Sequence, residues 1–235
     1  MHHRIQLELT LPMGSRWHAG SGEGNLLTDR LVRRDARNRP YIPGSTLKGV
    51  IRESCERLSR LLGFPEPGDP HQRNIRQTGA FDAFDETESP VDRIFGTKRI
   101  PGELFFRDAR PPDTPGFPSF SRNRNARYRA LGTVRHGHLF STEYAPATAL
   151  HTKVDGWHKG LVAMDEEYPP FAYCLLMAGI LAVDRVGGDK STGAGWLAPS
   201  ISITSASYNG SGINLEDIFE LLDPADYREL LKGGE

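Results

Sequence analysis

The run FAYCLLMAGILAV, Phe171 to Val183, constrains this chain more than any other feature. It is too continuously apolar to show an amphipathic face, and a helix of that kind belongs where it is covered on every side. It is also too short and too interrupted to span a bilayer. The run therefore predicts a buried helix that starts after Pro170 and is ended by Gly187-Gly188.

The rest of the chain supplies a sheet to bury it. Ile5, Leu7, Leu9 and Leu11 alternate with polar residues, the period of a half-buried strand, before Pro12 and Gly14. Leu26 to Arg34 reads as a second short strand with arginines on one side. Ser45 is a good N-cap, and Leu47, Val50, Ile51, Leu58, Leu61 and Leu62 fall on a 3.6-residue period, so a helix is expected over 46–62. Further strands are expected at Glu103–Asp108, Val134–Phe140, Leu150–Val154 and Trp196–Ile203. Gly63 to Glu88 is rich in Pro, Gly, Asp and Asn, the composition of a long surface loop. The acidic tail has helical spacing, is broken by Pro224 and resumes at Tyr227, as a segment packed on the body or on a neighbouring subunit would. Strand, helix, strand, then hairpin, helix and strand is the order of an α+β, ferredoxin-like (RRM-like) sheet with helices on one face. A single domain over residues 1–235 is expected, with a flexible insertion at about 63–90 and a helical tail at about 213–235.

Cys55 and Cys174 sit in apolar helical patterns and form no Cys-x-x-Cys pair, so they read as buried thiols, and no metal site follows from any sequence motif. MHHRIQLELTLPMG lacks a basic leader followed by a long apolar stretch, so a cytoplasmic protein without a membrane partner is expected. A net charge of −1 argues against a nonspecific polyanion binder, but the distribution is uneven. Residues 30–39 hold five arginines and one acid, and residues 114–142 hold five arginines and none.

Four constellations could carry chemistry. In Pro43-Gly44-Ser45-Thr46-Leu47-Lys48-Gly49-Val50-Ile51-Arg52 a turn opens a helix whose free amides favour phosphate, with Lys48 and Arg52 four apart on one face. An ordinary capped helix is the blander alternative. Gly187-Gly188-Asp189-Lys190-Ser191-Thr192-Gly193-Ala194-Gly195 tempts one toward a P-loop. It fails, because the required glycines are Asp189 and Asp184 and because a helix precedes the loop where a strand should. What remains is a loop of unhindered amides with Lys190, Ser191 and Thr192, suited to a sugar-phosphate backbone, or simply a helix C-cap and turn. In SRNRNARYRALGTVRHGHLF, Arg122, Arg124, Arg127, Arg129 and Arg135 are interleaved with Tyr128, His136, His138 and Phe140; cations for phosphates and rings for bases belong together in RNA binding. His18, Asp29 and Asp35 are candidate catalytic groups, although nothing in their spacing distinguishes a catalyst from an ion pair or a structural histidine.

Three segments, DRLVRRDARNRPYIPGSTLKGVIRESCERL, RIFGTKRIPGELFFRDA and VDRVGGDKSTGAGW, resemble in order and spacing the RAMP backbone subunits of type III CRISPR effector complexes, Csm-type above all. LFSTEYAPATAL resembles the segment that closes the family's protruding β-hairpin thumb, which places the thumb at about 118–140 and extends the resemblance over residues 4–205. The resemblance implies a RAMP palm with a glycine-rich loop, copies stacked in a filament along a guide RNA, other type III subunits as partners, and thumbs that part guide from complementary target RNA every six nucleotides. It further implies that Ser45, Thr46, Lys48, Arg52, Gly187, Gly188 and the loop after them contact RNA. Asp29 matches the family's cutting aspartate, acting as general base or as ligand to Mg²⁺ in attack by the target's 2′-hydroxyl; Asp35 matches a less critical acid and His18 a histidine against RNA. A noncatalytic scaffold or capping subunit would use the same contacts without cutting. A guide-processing nuclease relying on His18 is a further alternative.

Overall fold

The computed structural model describes residues 2–68, 89–97, 101–113, 117–128, 130–165 and 168–233. In chain order the elements are strand β1 (His2–Pro12), helices α1 (Gly44–Leu62) and α2 (Pro90–Phe95), strands β2 (Leu104–Phe106), β3 (Phe120–Arg127), β4 (Val134–Tyr144) and β5 (Ala149–Lys159), helix α3 (Phe171–Leu181), strands β6 (Ser202–Tyr208) and β7 (Ser211–Gly212), and helices α4 (Asp217–Glu220) and α5 (Pro224–Gly233).

β1 is the axis. It pairs antiparallel with β5 on one side and β6 on the other, within a sheet ordered β2-β5-β1-β6-β7. Its alternation places Ile5, Leu7, Leu9 and Leu11 in the core and leaves Arg4, Gln6 and Glu8 exposed on the opposite face. α1 packs Leu47, Ile51 and Cys55 into that core, and α3 is buried at every position from Phe171 to Ile180. The two helices meet where Gly179 lies on Cys55, so closely that a Cβ would overlap the Sγ. Burial pushes both thiols up, Cys174 to about 12, which leaves them unreactive at neutral pH. The fold is thus mixed α+β with antiparallel sheets, and the expected strand-helix-strand order holds once the separate β3–β4 hairpin is set between β2 and β5.

Several boundaries differ from the sequence expectation. Leu26–Arg34 forms no strand: Asn25 Oδ1 accepts from the Leu27 and Thr28 amides in a tight turn, and isolated bridges, Gly20 to Val32, Arg30 to Thr142 and Arg34 to Pro40, follow. β6 begins at Ser202 because Pro199 has no amide to donate; Trp196 and Leu197 bridge Arg185 and Met13 instead. α3 ends at Leu181, well before Gly187. Pro224 starts α5, where its missing N–H costs nothing, and the tail buries Ile218, Leu222 and Tyr227, the last against Phe64 and Phe171. Most of the proposed insertion at 63–90 lies outside the described residues.

A polar string runs through the core between the sheet and the helices. The Tyr173 hydroxyl donates to the His3 carbonyl (2.9 Å) and lies 2.8 Å from His158 Nδ1, while His3 Nδ1 is 2.8 Å from the Tyr208 hydroxyl. Burial lowers the pKa of both imidazoles, that of His158 to about 4. They are neutral in the fold but take protons near pH 6.5 once unfolded. Stability is therefore complete above about pH 6.5 and declines as pH falls toward 4, by on the order of 2 kcal/mol for His158. The melting temperature is expected to drop by about 4–8 °C between pH 7.5 and 5, and His158→Gln should flatten that profile.

Candidate nucleic-acid interface

The glycine-rich loop after α3 is seated on the segment that follows β1. Gly188 N donates to the His18 carbonyl (2.7 Å), Gly195 N to the Arg16 carbonyl (2.8 Å), and Val186 N to the Gly195 carbonyl (2.8 Å), which closes the loop on itself. Gly187 has φ +93°, and a Cβ there would lie 2.6 Å from the His18 carbonyl oxygen. Between the glycines, Lys190–Thr192 forms one 3₁₀ turn in which Ser191 and Thr192 are exposed.

His18 is buried beneath this loop. Its Nδ1 lies 2.8 Å from the Glu143 carbonyl, and its ring meets Tyr144 edge-on. It joins the segment after β1 and the glycine-rich loop to the base of the hairpin.

That hairpin, β3–β4, occupies the segment where the thumb is expected, with β4 running on to Tyr144. Its arginines pair with rings: Arg122 over Phe120, Arg124 over Phe140 and Arg135 over Tyr128, at 5.5–6.0 Å. Arg127 is exposed on β3, and Arg129 lies outside the described residues.

Residues 28–34 lie along the base of β4. Asp29 Oδ2 accepts from the Ser141 amide (2.6 Å) and hydroxyl (3.1 Å), and the Asp29 amide donates back to that hydroxyl (3.0 Å). The Ser141 amide, then its hydroxyl, hold the Asp29 carboxyl below the usual carboxylate range. The residue is nevertheless exposed. Beside it, the Arg30 guanidinium reaches Asp189 in the glycine-rich loop (3.3 Å). Glu143 clamps the same segment, accepting from Val32 N (2.9 Å), Arg34 (2.6 Å) and Ser119 (2.5 Å).

The other expected residues divide. Asp35 binds the Arg37 and Arg39 amides and the Arg39 and Arg110 guanidiniums; burial works against ionisation, but Arg39 and Arg37 outweigh it and hold the carboxyl at about 2. Asp35 clasps a loop and has no bond to the Asp29–Ser141 pair. Arg52, expected on RNA, donates instead to Glu56 (2.7 Å), the Gly96 carbonyl (2.6 Å) and Asp92 (2.9 Å), tying α1 to α2. Ser45 is not the cap either: the helix begins at Gly44, whose amide donates to Asp108 (3.1 Å) and which presses on the Phe106 carbonyl too closely for a side chain. Ser45 and Thr46 occupy the first turn. Lys48 has no ion pair among the described residues; burial, then the Arg52 charge, push its pKa down. Arg30, Ser141, Glu143, Tyr144 and Asp189 escape sequence reasoning, although Glu143 is the first acid after the acid-free 114–142 stretch.

Among the described residues no three His, Cys, Asp or Glu side chains gather as a metal site, and no helix is long and apolar enough to cross a membrane. Among the described residues Asp29 Oδ1 has no hydrogen-bond partner, and Mg²⁺ commonly takes only one or two carboxylates together with substrate phosphates. The site fits the ion on those terms alone.

A family model described as the RAMP superfamily matches residues 10–198. No curated protein sequence matches. Among solved structures, a chain in the cryo-EM structure of the Type III-B Cmr-beta bound to cognate target RNA matches with TM-score 0.48 and 18% identity, over 88% of this chain and 60% of that one.

Proposed function

The chain belongs to the RAMP superfamily, and from that premise we propose that it is a backbone subunit of a type III CRISPR effector complex that binds guide RNA and cuts complementary target RNA at six-nucleotide intervals. The observation that supports this most is the convergence of the glycine-rich loop, the base of the arginine-bearing hairpin and the exposed Asp29 carboxylate. Cations and rings on the hairpin suit phosphates and unstacked bases, and the loop offers backbone amides to the guide.

In this reading a nucleotide splayed by the hairpin presents its 2′-hydroxyl in line with the neighbouring phosphate. Asp29, held ionised by Ser141, is a weak proton acceptor at neutral pH; its better use is to orient the reacting phosphate group through a cation. Mg²⁺ bound by Asp29 Oδ1 and RNA phosphates would supply charge neutralisation there. Further copies of this chain would repeat the arrangement along the guide, beside other type III subunits.

One observation favours the noncatalytic alternative, a scaffold or capping subunit. The Asp29–Ser141 bonds are also what a purely structural anchor would make.

RNA binding is tested by filter binding of guide RNA across a salt series. Lys48→Ala should weaken binding uniformly across sequences and reduce the salt slope by about one, with the melting temperature unchanged. Arg52→Ala should do the opposite, costing about 2 kcal/mol of stability as buried Asp92 loses the guanidinium among its partners. A wild-type chain that retains no RNA at low salt would overturn the proposal.

A further inference from the structure

Asp189 is the acid that spoils the P-loop pattern, and it sits where a carboxylate is out of place in a site built for phosphates. Its backbone is left-handed (φ +60°), a conformation unfavourable for a residue with a Cβ. Its carboxylate draws three separate parts of the chain together. Oδ2 accepts from the Tyr144 hydroxyl (2.8 Å) and lies 2.9 Å from Arg124 Nη1; Oδ1 lies 3.3 Å from Arg30 Nη1. The side chain is 12% exposed. A carboxylate repels a sugar-phosphate backbone, so an acid kept here has to be neutralised by its own partners, and two guanidiniums do so.

We propose that Asp189 is a positioning residue: through its carboxylate the glycine-rich loop fixes Arg30, and with it the Asp29 segment, against the base of the hairpin. The chain of contacts is continuous. Arg30 N donates to the Ser141 carbonyl (3.2 Å), the Ser141 amide donates to Asp29 Oδ2 (2.6 Å), and Arg124 Nη1 lies 3.2 Å from the Tyr144 hydroxyl. Residues 28–31 are not in a continuous strand; they are tied to Ser21 and Glu23 through Leu31, to Ser121 through Thr28, and to β4 by the isolated bridge from Arg30 to Thr142, and the Asp189–Arg30 pair is what links them to the glycine-rich loop. Asp189 thus acts on the reacting groups only through Arg30 and Ser141, and its catalytic consequence rests on the reading of Asp29 as the cutting residue.

The test pairs hydrogen–deuterium exchange on the full chain with single-turnover cutting of saturating complementary RNA by the assembled complex, for wild type, Asp189→Ala and Asp189→Asn. Asp189→Ala should speed exchange at residues 30–32 and 141–145 as well as in its own loop. It should slow cutting by about tenfold to a hundredfold while leaving target affinity unchanged. Asp189→Asn keeps an acceptor for Tyr144 but loses the charge that holds the arginines, so it should fall between; it also carries the comparison if the alanine variant does not fold. Faster exchange confined to 188–195, or wild-type cutting by Asp189→Ala, would overturn the proposal. If exchange spreads as expected but the wild type itself does not cut, Asp189 keeps its anchoring role and the assignment of Asp29 is what fails.

Discussion

Asp29→Ala is expected to slow cleavage of a bound complementary RNA by about 10²- to 10³-fold while leaving affinity for that RNA unchanged. The split follows from geometry. Asp29 is exposed at the foot of the hairpin with one carboxylate oxygen free of partners among the described residues, whereas the proposed reading spreads affinity over the loop amides, Lys48 and the hairpin arginines. Ser141→Ala should have a smaller effect, because the Ser141 amide, the stronger of the two donors to Asp29, remains. The pH profile adds a check. Because Asp29 is held below the ordinary carboxylate value of about 3.9, it stays ionised from pH 5 upward and contributes no acid limb there. An acid limb near pH 6 that vanishes in Asp29→Ala would contradict this electrostatic assignment.

Gly195→Val is expected to cost at least about 3 kcal/mol and to abolish RNA binding. Gly195 has φ +75°, and a Cβ would overlap the Val186 carbonyl, so the substitution meets both a backbone penalty and a collision with rigid main chain. Relief requires breaking the Val186–Gly195 and Gly195–Arg16 hydrogen bonds, the two that seat the closing end of the loop. Gly193 is the control: φ is +77° but a Cβ would meet nothing within 4 Å. Gly193→Ala should cost only about 1 kcal/mol and keep binding. Thermal melts and filter binding on the two variants separate backbone strain from loss of the seat.

The contrast between those glycines marks how far the sequence is legible. Periodicity is a local signal, so β1 and α1 were readable to within a few residues, and the buried α3 in its place and its start but not its end. Elements without a period of their own were not: α2 is six residues long, and residues 26–34 have a strand-like composition but meet their neighbours in isolated bridges that do not build a ladder. The basic hairpin could be read because its acid-free run is contiguous. The partners of its charges could not, since Arg30 and Asp189 are 159 residues apart and Arg52 and Asp92 are 40 apart. Arg52 shows the consequence. Helical spacing places it beside Lys48, yet only the packing of α2 against α1 makes it a strut while Lys48 has no ion pair among the described residues. Asp35 is similar, since a sequence can show an acid among arginines but not that they enclose it.

The most direct measurement of the central claim is a sequencing gel of end-labelled complementary RNA, incubated with Mg²⁺ and the chain assembled with guide RNA and partner subunits, wild type beside Asp29→Ala. The expected result is a ladder of cuts six nucleotides apart in the wild type, lost with Asp29→Ala although the target remains bound. Tight target binding by the wild type with no ladder would contradict the account and leave the chain a scaffold in which Asp29 only anchors Ser141.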